Sequence, residues 1–237
     1  MPLRRGCAIP GNSTNVLERS WTMAIRRIEV LAFVDWTAQI YNAGATKIQN
    51  PMRRAQATLD RTCRALAVCL TETEPHVLFN VRLRLYHGWY RGLTRTENRD
   101  AMRTLESSAD FEFPRFDHVV FWRPIEYSEN LINALPHRKR QKPPQIELPD
   151  TCRPAADSHG DEREKMVDTA LACDLVTHAR FDPADWRVIL AEDDDFVPAA
   201  FVAEAWSKGK GGRTLLLRRR QQSKHLELTG ILKEDTT

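Results

Sequence analysis

Two short runs constrain the fold of this chain most strongly: IEVLAFVDW, from Ile28 to Trp36, and WRVILAE, from Trp186 to Glu192. Both are mostly apolar and of strand length, as interior strands of parallel sheets are, and such strands need cover on both faces. The segments after them supply that cover. NPMRRAQATLDRTCRALAVCLTET, Asn50 to Thr73, sets Met52, Leu59, Cys63, Leu66 and Leu70 at helical spacing behind an Asn-Pro start. EREKMVDTALACDLVTHA, Glu162 to Ala179, reads as a helix with Val167, Ala170, Leu171 and Cys173 toward the core, and Phe196 to Lys208 as another that tolerates Pro198 in its first turn. Further strands are expected from His76 to Tyr90, where Val81, Leu83 and Leu85 alternate with Arg82, Arg84 and Tyr86, and from Phe116 to Tyr127, at an edge because Pro124 interrupts it. RTLLLRRR, Arg213 to Arg220, reads as the closing strand. Strands alternating with helices predict an α/β fold with a mostly parallel central sheet flanked by helices, whose sites lie at the carboxyl ends of strands. Asp35 and Asp193 both stand at such ends.

The second of these ends carries four acids in a row, Glu192 to Asp195. Close carboxylate pairs repel by about 1 to 4 kcal/mol at surface-like dielectric, so something must offset the charge. Three readings compete. The acids are solvated, one of them capping the next helix for about 0.3 to 1 kcal/mol; or they hold a divalent cation for phosphoryl chemistry; or they form an Asp-x-Asp metal and nucleotide-sugar site. Strand alternation predicts that Asp193 and Asp195 project to one side and Asp194 to the other.

Charge is distributed unevenly around this cluster, although the net value is only +3. From Asp161 to Asp195 there are eleven acidic residues against four basic ones, and from Lys208 to Lys224 seven basic residues and no acidic one. A basic strip beside an acidic cluster suits a polyanion, with Lys and Arg on the phosphates while a metal works on one of them. The 237 residues, 42% apolar, fit one generous domain. No run of 18 apolar residues occurs and the first 20 residues have no apolar h-region, so a cytoplasmic protein is expected. The five cysteines form no CxxC pair and read as free thiols. Residues 136–161 hold five prolines and little periodicity, which predicts a flexible insertion within the domain.

Three stretches, in order, match a known family. FVDW at the end of the first strand, KMVDTALACD on the later helix, and ILAEDDDFVPAAFVAEAWSKGKGG over the final strand and helix together resemble the NYN domain, the LabA-like branch of the PIN-like nucleases. That family's Lys-x-Val-Asp-x-x-Leu-x-x-Asp helix is met by Lys165, Val167, Asp168, Leu171 and Asp174, and its Asp-x-Asp-Phe-x-Pro strand end by Asp193, Asp195, Phe196 and Pro198. The likeness spans residues 28–232, leaving 1–27 as an N-terminal extension and 233–237 as a tail. The chain departs from the pattern at Ala38, where the family usually has Asn three residues after the strand-end Asp, at Glu192, where Gly is common, and in its Pro-rich insertion.

The resemblance implies a PIN-like, Rossmannoid three-layer fold and metal-dependent cleavage of RNA. Asp35, Asp168, Asp193 and Asp195 are the expected catalytic and metal-ligating set, holding Mg²⁺ or Mn²⁺. Lys165, Arg218, Arg219, Arg220 and Lys224 are candidates for the RNA backbone, while Thr37, Asp174 and Asp194 are expected to support the ligands from behind. Asp174 lies six residues beyond Asp168, about 240° round a helix, so the two cannot both point into one site. Trp89 or Tyr90 would stack on an unpaired base unless taken up in packing; no histidine is assigned a catalytic role. RNA is the expected partner, no membrane is involved, and a homodimer is left open. Two alternatives are a non-catalytic RNA-binding or scaffold protein, motivated by Ala38, and a metal-dependent glycosyltransferase, motivated by EDDDF.

Overall fold

The computed structural model describes residues 26–132, 146–154, 162–219 and 230–234. Most of the N-terminal extension, most of the Pro-rich insertion, Arg220 and Lys224 lie outside the described residues. The chain runs β1 (Arg27–Asp35), α1 (Trp36–Asn42), α2 (Pro51–Thr73), β2 (Leu78–Tyr86), a short pair β3 (Tyr90–Arg91) and β4 (Thr94–Arg95), α3 (Glu97–Ser107) and β5 (Val119–Tyr127). It continues through a second short pair, β6 (Cys152–Pro154) and β7 (Glu162–Glu164), to α4 (Val167–Phe181), β8 (Trp186–Leu190), α5 (Val197–Ser207), β9 (Thr214–Arg218) and β10 (Leu232–Glu234). Six strands form one sheet in the order β10-β9-β8-β1-β2-β5, and every pairing in it is parallel. Numbered along the chain, those strands read 3-2-1-4-5-6 across the sheet, the doubly wound order of three-layer α/β proteins.

The interior strands lack alternation because both of their faces are covered. Val30, Ala32 and Val34 of β1 pack in one core with Leu59, Cys63, Leu66 and Leu70 of α2 and Met102 of α3. Leu31 and Phe33 pack in the other with Leu171 and Leu175 of α4 and Ala200 and Ala203 of α5. Removing such side chains from water contributes about 1.5 to 3 kcal/mol each, more than local propensity does, so packing decides these elements. Asn50 starts α2 as expected, its side chain accepting from Arg53 N. Pro124 indeed lies in an edge strand.

Several expectations are corrected. Met52 is exposed at the start of α2, and Cys173 is exposed on α4 while Asp174 and His178 are buried. On the polar face of β2, Arg84 and Tyr86 are buried because α4 covers them and supplies Asp174. Residues 162–164 are not helical. They pair antiparallel with Cys152–Pro154, and Met166, at φ 66°, separates that pair from the start of α4. Lys165 therefore precedes the helix and is not on the Asp168 face; its N–H donates to Thr151 O instead. β9 does not close the sheet, since β10 lies outside it. Cys63, Cys69, Cys152 and Cys173 are free thiols, and Cys7 is outside the described residues.

Candidate functional site

After β1 the chain builds outward through β2 and β5, whereas after β8 it builds the other way through β9 and β10. The crossovers leave a crevice between the carboxyl ends of β1 and β8, the place where open α/β sheets bind ligands. Pairing of Val34 with Leu190 brings Asp35 alongside the Ala191–Asp193 segment. A cleft of about 720 Å³ opens there. One wall is Asp35, Thr37, Ala38, Tyr41 and Asn42; the other is Glu192, Asp193 and Asp194 with Arg218 and Arg219 from the end of β9.

Local hydrogen bonding fixes each acid. Asp35 is the N-cap of α1 and accepts from Ala38 N at 3.0 Å. Asp193 does the same for one turn of 3-10 helix, Asp194–Phe196, accepting from Asp195 N at 3.0 Å. The strand has therefore ended before the acids begin, and alternation does not orient them. Arg218 holds Asp194 at 2.6 Å while donating to Glu192 O at 2.7 Å, and Asp194 lines the cleft together with Asp193, against the expected alternation. Glu192 ties the walls together, accepting from Asn42 Nδ2 and Arg219 N, both at 2.9 Å. Asp168 opens to solvent in the first turn of α4, and Asp195 is also exposed.

Electrostatics connect acids from separate segments. Burial, then Glu164 and Asp168, push Asp35 up to about 6, against the opposing pull of the Ala38 N–H and His87. Partial burial, then Glu164, Asp193 and Asp195, raise Asp168. Because Asp168 faces solvent, the neighbouring carboxylates are the more telling part of its shift. Asp168 thus links Asp35, Glu164, Asp193 and Asp195, and the five acids come from four segments of the chain.

Glu164 was missed by sequence reasoning, as was His87 beside it. Glu164 accepts from Gly88 N at 2.6 Å, from Thr37 Oγ1 at 3.0 Å and from His87 Nδ1. Burial raises its carboxyl, but the hydrogen bonds from His87, Gly88 and Thr37 outweigh it and hold Glu164 below its ordinary value. Arg54 donates to Asn98 Oδ1 at 3.0 Å, which turns the Asn98 amide nitrogen toward His87 Nε2 at 2.6 Å. The Nδ1 side of the ring thereby faces Glu164. Gly88 leaves little room here: a Cβ would lie 3.1 Å from Cys152 Cβ and 3.3 Å from Glu164 Cγ, so a larger residue would press on this approach. The signal in the sequence was HGW before a turn and a Glu just ahead of Lys165, but both gain meaning only once β6 and β7 pair.

The remaining candidates divide. Thr37 adjoins Asp35 and supports Glu164. Asp174 is buried against Arg84 at 2.9 Å, Tyr86 Oη at 2.8 Å and Ile132 N at 2.6 Å, and so fastens α4 to β2 rather than joining the cleft. Arg218 is committed to Asp194 and is buried, whereas Arg219 is exposed at the rim, one N–H donating to Asn42 O. Trp89 is fully buried and packs on His87 and Tyr127.

Among the described residues no three acid, imidazole or thiol groups stand close enough to hold one metal ion as placed. Carboxylates with no counter-charge between them separate, for the repulsion already given. The donor chemistry, oxygen throughout, fits a hard cation of the Mg²⁺ or Mn²⁺ type rather than zinc. Fold and site together define a doubly wound α/β protein with a carboxylate-lined cleft at its switch point. Comparison with protein-family models, curated proteins and solved structures returns no match for the chain. No helix among the described residues is long and apolar enough to cross a membrane.

Proposed function

We propose that this cleft hydrolyses RNA phosphodiester bonds at a carboxylate-held Mg²⁺ or Mn²⁺, making the protein a cytoplasmic, NYN-like metal-dependent ribonuclease. One observation carries the reading: beside the crevice between β1 and β8, Asp35 and Asp168 are both raised by carboxylates from other chain segments, a repulsion that weakens the fold and that a cation would relieve. Asp35, Asp168, Asp193 and Asp195 are the groups that would hold it. When bound, the cation supplies charge neutralisation at the phosphate and a more acidic water. Glu164, kept ionised by His87, Gly88 and Thr37, maintains negative charge beside Asp35. Arg219, which lines the same cleft and is exposed, would take a backbone phosphate.

The test is incubation of structured and single-stranded RNAs with Mg²⁺ or Mn²⁺. Cleavage is expected, is abolished by EDTA, and falls about 100-fold or more in Asp193→Asn, equivalent to about 2.7 kcal/mol of transition-state stabilisation. Cleavage unchanged by the substitution removes the site assignment. A non-catalytic RNA-binding role is favoured by one feature, the spacing of the acids too wide for a shared ion as placed. It predicts RNA binding in EDTA with no cleavage in Mn²⁺.

A further inference from the structure

A second cleft, of about 550 Å³, adjoins the first, and the two share Thr37 as a common wall. It lies under the β3–β4 hairpin, and nothing in the sequence pointed to it. Its floor is rigid and polar: His87, Asn98 and Glu164 are linked in the hydrogen-bonded chain described above. Its rim carries Arg91 and Arg95, both exposed, and Arg95 has no ion-pair partner among the described residues. Glu97, also at the rim, is paired with Arg54 at 2.8 Å, which reduces its repulsion of an anion.

The two clefts make a track whose charge changes sign twice. Arg219 stands at one end, the acids around Asp35 occupy the middle, and Arg91 and Arg95 stand at the other end beyond Thr37. A cut phosphodiester needs negative ligands at the scissile phosphate alone; its neighbours along the strand need positive charge. The volume suits a small organic ligand of nucleotide size. We propose that this second cleft holds the nucleotide flanking the scissile phosphate, with Arg95, assisted by Arg91, on its phosphate, so that the substrate is single-stranded RNA threaded past Thr37. This rests on the ribonuclease reading and adds a substrate subsite to it.

The test is fluorescence anisotropy of a single-stranded RNA of about 10 nucleotides, titrated in EDTA so that no cleavage intervenes, across a range of salt concentrations. Arg95→Ala is expected to weaken binding about 3- to 10-fold and reduce the salt slope by about 0.7, and Arg91→Ala/Arg95→Ala to do more, while Arg95→Lys keeps the slope. Arg103→Ala, on the exposed side of α3, leaves both unchanged. Unchanged melting temperatures show that the variants fold. If wild-type protein cleaves RNA and the double variant binds with wild-type affinity and slope, the second cleft is not a subsite and this proposal is overturned alone. If wild-type protein neither binds nor cleaves RNA, the ribonuclease reading falls with it.

Discussion

Asp35 ends a strand with its carboxyl partly buried and faced by other acids, and this position works against folding. Its proton is held more tightly in the folded chain, up to about 6, than in the unfolded chain. The folded state therefore binds more protons over that interval, and stability falls as pH rises through about 6. Asp35→Asn keeps an N-cap of equal quality while removing the charge. Metal-free Asp35→Asn is predicted to exceed wild type by on the order of 2 kcal/mol in urea unfolding at pH 8, the difference vanishing below about pH 4. Lower stability of the variant at pH 8 would mean that Asp35 is a structural residue. Legibility at this scale followed chemistry that is local in sequence. An acid directly after an apolar run announces itself, as Asp35 and Asp193 do. Glu164 does not, because EREK reads as helix until a strand twelve residues earlier, Cys152, is known to pair with it. The expected alternation of the acids fails because the strand has ended: Asp194, held by Arg218, lines the cleft with Asp193.

Helix α4 shows how one element serves two ends. Asp168 in its first turn is exposed and within electrostatic reach of Asp35, Asp193 and Asp195, and Asp174, six residues on, is buried against Arg84. Their angular separation was readable from spacing alone, but the partner of Asp174 was not, since Arg84 lies 90 residues away on the polar face of β2. Truncating one partner of a buried pair strands the other charge, so Asp174→Ala is predicted to lower stability by about 3 to 5 kcal/mol. Asp168→Asn, which relieves repulsion at an exposed position, is predicted to leave the urea midpoint unchanged or higher while abolishing cleavage. Equal loss of stability in both variants would contradict this division. The β6–β7 pair is the element least visible beforehand: three-residue strands in a Pro-rich stretch carry no periodicity, yet this pair delivers Glu164 to His87.

For the whole molecule, the alternation of apolar runs and helical segments led directly to a parallel three-layer sheet, because a strand buried on both faces has few other environments. The strand order was not readable in detail, and it is what places the ends of β1 and β8 side by side. The added edge strand β10 escaped notice because three residues give no pattern. The central claim is that acids on β1, on α4 and after β8 serve one divalent cation. Calorimetric titration of Mn²⁺ into EDTA-treated, dialysed protein tests this without recourse to any substrate. Saturable binding is predicted for wild type, weakened about 10-fold or more in each of Asp35→Asn, Asp168→Asn and Asp193→Asn; no saturable heat in wild type, or binding that none of the three substitutions alters, would contradict it.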